Sequence, residues 1–377
     1  MAMKSVKPYD TIVIGIGAVG AAAAYHLARR GQRVLALEQF DLDHSMGSSY
    51  GESRIIRYAY KDSIYVDMAK QAFPMWRDLE QRSGKRLLTP SGGLDFGPAD
   101  SPSLLATRDC LDAAGIAYEW LSATETARRF PQFRLDRDMA AILQPDAAIL
   151  NASACVRTLA EMAEISGAML KTTCPAIKIE PSSDSVYVET PEGGFSAGKV
   201  IVSAGPWAGK LLHTLDLNLP LTVTRQEQVF FKPARRTAFL PGTFPVFIHH
   251  REPWIYGLPD TGTGLKIAVH NLSHAIDPDD DRPTQDDTSV DTVRAWVKRF
   301  LPWGDGPIRE KRECLYTMTP DEHFIIDTHP GYSNVVIGSP CSGHGFKFAI
   351  LAGFLLADLA QGRAPTQERF TVRRFLG

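Results

Sequence analysis

The segment DTIVIGIGAVGAAAAYHLARRGQRVLALE, residues 10–38, constrains this chain more than any other. Asp10 to Ile14 is a short β-branched run of the kind a buried parallel strand needs. Gly15-Ile16-Gly17-Ala18-Val19-Gly20 follows, then an alanine-rich helical stretch closed by Gly31, with Arg29 and Arg30 in its last turn. A second strand, Arg33 to Leu37, stops at Glu38. Strand, glycine turn, helix, strand and acid make a dinucleotide-binding unit. Gly15, Gly17 and Gly20 let the backbone approach a pyrophosphate at the helix N-terminus, and Glu38 accepts ribose hydroxyls. Glu38 suits a ribose without a 2′-phosphate and does not separate NAD from FAD.

Such a unit takes less than a tenth of the 377 residues; the total suits two intimately joined domains. A net charge of −2 gives no reason to expect nucleic acid or an anionic membrane as partner. The apolar runs Thr11–Leu27 and Phe348–Leu359 are unsuited to a membrane: the first is interrupted by glycines, and the second is too short. The five cysteines are odd in number and widely spread, with neither zinc-ligand spacing nor a disulfide framework, so a reducing, cytoplasmic setting is expected.

After Glu38 comes HSMGSSYGESRIIRYAY, residues 44–60, rich in glycine and serine. On a helix, Arg54 and Arg57 would share one face. The apolar and aromatic neighbours Ile55, Ile56, Tyr58 and Tyr60 suggest a partly buried segment, where an arginine needs an anion; the alternative is a solvated basic pair. Helices are expected at 65–83, kinked at Pro74, at 102–114, and from Asn151 to Gly167. Strands near 176–179, 186–189 and 199–203 lead into Ala204-Gly205-Pro206-Trp207, a second strand-to-turn element of the nucleotide domain. Elements of that domain thus recur after an insertion.

Residues 221–231, 244–248, 254–258 and 264–270 alternate as strands of an antiparallel sheet. In GLKIAVH, Lys266, Ala268 and His270 point one way, toward either water or a cleft. DPDDDRPTQDD, 277–287, reads as a solvated loop. CLYTMTPDEHFIID, 314–327, reads as strand, turn and strand with Cys314 at its head. Near the C-terminus the strand NVVIG meets SPCSGHG and a helix beginning FKF, so His344 and Lys347 stand in that helix's first turn, where the macrodipole opposes positive charge. A nearby anion would remove the conflict.

These pieces together resemble the monomeric sarcosine oxidase and N-methyltryptophan oxidase family, of the glycine oxidase and D-amino-acid oxidase fold group. GIGAVG with Glu38, GESRIIR, GLKIAVH, CLYTMTPDEHFIID and SGHGFKF stand in that family's order over essentially the whole chain. The resemblance implies an α/β protein with a Rossmann-like FAD-binding domain (1–83, 150–213, 323–377) interleaved with an antiparallel-sheet substrate domain (84–149, 214–322). It implies a monomeric flavoenzyme that oxidises the C–N bond of an N-methyl or other secondary amino acid and reduces O2 to H2O2. A related oxidase or dehydrogenase of glycine, a D-amino acid or a cyclic amino acid is the alternative.

By motif position, Cys314 matches the cysteine that bonds to FAD. Arg57 and Lys347 match the pair that binds the substrate carboxylate. Lys266 matches the lysine near the flavin where oxygen is reduced, and Arg54 an arginine over the flavin ring. Tyr256, His270, Tyr316 and His344 match residues around the substrate cavity or flavin, and Ser48, Gly343 and Gly345 fall in the flavin-binding motifs. Two positions depart from the family. Ser49 and Tyr50 stand where it has a histidine pair, and Cys341 replaces an aromatic or aliphatic residue; both changes put sarcosine itself in doubt as the substrate.

Overall fold

The computed structural model describes residues 9–270, 274–280, 288–363 and 367–376. Its first eight-stranded sheet is built on the N-terminal unit. Tyr9–Ile14 runs parallel to Val34–Leu37 on one side and to the C-terminal half of Gly193–Val202 on the other. Val34–Leu37 in turn pairs in parallel with Met169–Lys171, a strand too short and polar to stand out in the sequence. Beyond Gly193–Val202 lie Val335–Ser339, parallel, and Val186–Thr190, antiparallel. Strands Lys178–Pro181 and Ile325–Thr328 complete the sheet as antiparallel additions. Ile12, Val13, Leu35 and Ala36 are fully buried, as the unbroken apolar runs require.

Helix Ala18–Arg29 carries alanines because it must approach helix Ala349–Ala360 closely. A Cβ on Gly353 would lie 2.4 Å from the Ala22 methyl, so backbone meets backbone there. Helix Ala152–Ile165 is capped by Asn151, whose side chain accepts from the Ala154 N–H. Helix Ser63–Ser83 runs through Pro74 without interruption.

The second eight-stranded sheet has the order Ile308–Met318, Thr222–Phe231, Leu265–Val269, Ile255–Leu258, Val246–His249, Gly93–Pro98, Met139–Gln144, Glu119–Ser122. All neighbours are antiparallel except Val246–His249 and Gly93–Pro98. Period-two alternation divides its side chains. Leu94, Phe96, Val229, Phe231, Ile255, Leu265 and Ile267 join Trp296 and Phe300 of helix Thr288–Phe300 in one apolar cluster. Asp95, Gln228, Tyr256 and Lys266, each one residue out of phase, therefore face the other way. A three-stranded sheet, Arg54–Ile56, Ala148–Leu150 and Leu88–Pro90, lies apart from both large sheets. The shared face that a helix would give Arg54 and Arg57 does not arise, because Arg54–Ile56 is a short strand. Arg57 follows its end, and the two arginines take separate surroundings.

Candidate active site

A cavity of about 370 Å³ opens beside the glycine turn, lined among others by Gly15, Gly17, Glu38, His44, Ser48, Trp207, Cys341 and Gly345. Gly15 adopts φ 89°, and a Cβ there would lie 2.6 Å from the Ser203 carbonyl oxygen, so only glycine fits. Gly20 is packed as tightly: its Cβ would stand 1.8 Å from the Gly15 oxygen. Gly17 caps helix Ala18–Arg29 without a side-chain partner, and no acid stands in the first turn. The Ala18 N–H donates to the Ser49 hydroxyl at 3.1 Å, and the rest of that helix end suits a phosphate. Glu38 is fixed by the N–H groups of Ile16 at 2.8 Å and Phe40 at 3.1 Å. Glycines that a Cβ would block, an open helix terminus and an oriented buried carboxylate together fit the adenosine diphosphate portion of FAD. Phe40, His44 and Trp207 form an aromatic group at the same end. Asp277 and Asp279 ion-pair with Lys210, which also lines the cavity, and the Trp207 indole donates to Asp279 at 2.6 Å. The expected solvated loop is therefore tied down in its first part; residues 281–287 lie outside those described.

Two further groups each centre on a buried lysine. In the first, Lys266 is 2% exposed and donates to the Ser53 carbonyl at 3.2 Å. Of the two faces open to Lys266 in the sequence, the structure chooses the interior. Burial drives its pKa well below the ordinary lysine value, and Arg54 pushes the same way against Cys314 and Glu52. Arg54 donates to the carbonyls of Ser53 (2.9 Å), Ser48 (2.8 Å) and Tyr50 (2.9 Å), bracing its own loop. That loop is sewn to strand Ile308–Met318 by the Ser48 hydroxyl on Leu315 and the Tyr50 hydroxyl on Glu313, both to carbonyls. Cys314 is buried, and Gln228 donates to its sulfur at 3.1 Å. Tyr316 and Tyr256 hydrogen-bond to one another, and burial raises both.

The second group centres on Lys347. The side chain donates to the Tyr60 hydroxyl at 2.8 Å and the His344 carbonyl at 2.9 Å. Burial and the neighbouring Arg57 hold its pKa well below normal. Lys347 stands in the 3-10 turn Phe346–Phe348, ahead of helix Ala349–Ala360 rather than within its first turn. Gly345 permits that turn, since a Cβ there would lie 1.7 Å from the Pro340 oxygen. Arg57 lies 4.6 Å from the Tyr60 ring centre, with Nη1 3.2 Å from Asp95 Oδ1. Its Nη1 hydrogens are not aimed at that oxygen: the atom is buried with no hydrogen-bond acceptor among the described residues. His344 reaches the Glu322 carbonyl at 3.2 Å and lies 3.4 Å from the Tyr60 hydroxyl. Burial lowers the pKa of His344, helped by Lys347. Burial likewise lowers that of His270, whose ring sits 5.7 Å from that of Tyr316, with Gly343 wedged against both.

Sequence reasoning missed Asp95 and His250 and gave Tyr60 no role. An acid between Leu94 and Phe96 in an otherwise apolar strand was the one available signal. Among the described residues, no cluster of three His, Cys, Asp or Glu could hold a metal, and no helix is long and apolar enough to cross a membrane.

Comparison with known proteins agrees with this geometry. Residues 10–359 match the family described as FAD dependent oxidoreductase. The monomeric sarcosine oxidase of Bacillus sp. (strain NS-129) is 35% identical over 358 residues, covering 93% of this chain and 92% of that protein. The N-methyl-L-tryptophan oxidase of Citrobacter koseri is 33% identical over 374 residues, covering 97% and 99%. Among solved structures, NikD, an unusual amino acid oxidase essential for nikkomycin biosynthesis, superposes with a TM-score of 0.85 at 28% identity, covering 97% of this chain and 98% of that one. The family match runs through both large sheets and both lysine groups, so the chain belongs to the FAD dependent oxidoreductases, and FAD is the cofactor its nucleotide cavity takes.

Proposed function

We propose that this enzyme is an oxidase of N-methyl or other secondary amino acids, with Arg57 and Lys347 as the clamp for the substrate carboxylate. The observation that carries the reading is the buried Nη1 of Arg57, which lacks an acceptor while a buried lysine shares its surroundings. Leaving a buried charged donor unsatisfied costs about 1–3 kcal/mol or more, and a carboxylate would accept from both side chains. His270 and His344, kept neutral by burial, leave the pocket's positive charge to that pair. Bound FAD supplies the two-electron acceptor for the C–N bond and returns the electrons to oxygen as hydrogen peroxide. The substrate leaves as an imine that water hydrolyses. Only the uncharged amine has an electron pair to contribute to C–N oxidation, so turnover rises with pH as the substrate amine deprotonates. Lys266 would place positive charge where reduced oxygen species form, in a site of low dielectric.

Cys314 is the attachment point for the flavin in this reading. Cys314 would hold the flavin through a thioether, its thiol giving up a proton, with oxygen taking the two electrons that forming the bond releases. Gln228 orients that sulfur. We assign residues 1–83, 150–213 and 323–377 to FAD and the remainder to the substrate, and we place the enzyme as a cytoplasmic monomer. The free cysteines and the relatives named monomeric support this.

The test is a substrate panel with peroxide detection: sarcosine, larger N-methyl amino acids, glycine, a D-amino acid, pipecolate and size-matched amines without a carboxylate. N-alkyl amino acids are expected to turn over and the amines to fail. Equal turnover of the amines would remove the clamp. Acid precipitation should leave a yellow pellet; Cys314→Ala should release all flavin to the supernatant. A colourless wild-type pellet overturns the attachment.

A further inference from the structure

Asp95 presents a problem that the clamp does not solve. It is 1% exposed, on the face of strand Gly93–Pro98 opposite that of Leu94 and Phe96, which are locked in the aromatic cluster. A carboxylate this deep survives only with partners. Burial alone would raise its pKa, but Arg57 and His250 outweigh that and bring it below normal. His250 Nε2 lies 2.9 Å from Oδ1, and His250 Nδ1 lies 3.0 Å from the Ser103 hydroxyl. The His250 backbone is pinned in turn: its N–H donates to the Phe96 carbonyl at 2.7 Å. Ser103, His250 and the strand therefore hold Asp95 in place and leave it no route to swing aside.

Its geometry toward Arg57 is different in kind. The charges are 3.2 Å apart, yet the Nη1 hydrogens are not directed at Oδ1. Asp95 balances the charge of Arg57 without consuming the hydrogens that would grip a ligand. Its field also reaches Lys347 and Tyr60. Arg57 and Lys347 supply two cations and Asp95 one anion, while burial lowers His270 and His344. One ligand carboxylate completes the balance; a second would meet a fixed buried anion.

We infer that Asp95 is a specificity-determining residue that restricts this pocket to substrates with a single carboxylate, excluding dicarboxylic N-alkyl amino acids. The inference rests on the clamp proposed above and adds the count of charges it accepts. At an effective dielectric constant near 20, two charges a few ångströms apart interact strongly enough to change binding about 10- to 100-fold.

The experiment titrates purified holoenzyme with acetate and with malonate at pH 8, reading the flavin difference spectrum. Wild type should bind acetate more tightly than malonate. Asp95→Asn should shift the malonate-to-acetate affinity ratio toward malonate by about 10-fold or more, while Asp95→Glu should restore the wild-type preference. A merely structural role would weaken both ligands together and leave the ratio in place; that result, or a ratio shifted equally by Asp95→Glu, overturns the proposal. Should Asp95→Asn not fold, steady-state discrimination between sarcosine and N-methylaspartate by wild type and Asp95→Glu decides. Strong turnover of N-methylaspartate by wild type sinks the inference, and its rejection by both enzymes supports it. Failure of the clamp itself would look different, because wild type would then bind neither acetate nor malonate at the flavin.

Discussion

Arg54 with Lys266 and Arg57 with Lys347 are the same two residue types, a half-buried arginine beside a buried lysine, and they differ in what accepts their hydrogens. Arg54 spends its guanidinium on three backbone carbonyls, and Lys266 donates to one of the same three, that of Ser53. Arg54 is held by its own loop, whereas Lys266 has that single acceptor among the described residues. Arg57 has a buried nitrogen without an acceptor, and Lys347 has two partners for three hydrogens. The arginines carry the contrast: Arg54 is satisfied by its own loop, and Arg57 keeps a buried nitrogen without an acceptor among the described residues. The difference teaches that a charged residue's function is read from its unfilled valences as much as from its identity.

Three experiments press on that contrast. The largest effect should come from Lys266→Met, which removes the fixed charge. Reoxidation of the reduced enzyme should slow on the order of 10²-fold or more, with acetate affinity nearly unchanged. Stopped-flow reoxidation at the wild-type rate would take Lys266 out of the oxygen step. Next, Arg57→Ala should weaken acetate binding about 10- to 150-fold, as expected for one charge-assisted bond, and leave reoxidation of the reduced enzyme close to wild type. Loss of both properties together would mean that the two pairs are not separate.

The smallest effect concerns stability. Burial lowers Lys347 in the folded protein, so the unfolded chain binds more protons, and stability rises with pH. The penalty is complete below the folded pKa and disappears as pH climbs toward the unfolded value near 10.4. Lys347→Met should therefore raise the melting temperature by about 2–4 °C at neutral pH, and less as the pH increases. Saturating acetate should abolish this gain, since the ligand offsets the buried charge. Lys266→Met should also stabilise, but acetate should leave its gain unaltered. Equal responses to acetate would erase the distinction drawn here.

The sequence made the nucleotide half easy to read because its signals are local: a β-branched run, glycines at fixed spacing, an acid at the next strand end. The alternation around Lys266 was equally plain, though it could not say which face was interior. Arg54-Ile55-Ile56 is too short for either periodicity to declare itself, and its pairing partners lie some ninety residues away, near Ile149. Lys347 was placed one turn too far into the helix because a 3-10 turn and an α-helical first turn share the same composition. Asp95 and His250 are 155 residues apart, and nothing local to either announces the other.

The order of strands in the first sheet bears on how the enzyme is made. Gly193–Val202 sits between Tyr9–Ile14 and Val335–Ser339, and residues from Gly338 to Ala349 wall the nucleotide cavity. A nascent chain that has emerged only through its first two hundred residues owns the glycine turn but lacks one side of the container. Cofactor capture during synthesis must therefore wait until residues 338–349 have left the ribosome. Until then the edge of Gly193–Val202 that Val335–Ser339 will cover is open to pairing with other strands. Expression with scarce flavin, or with slowed translation of that final stretch, should raise the fraction that aggregates rather than the fraction that is folded and empty.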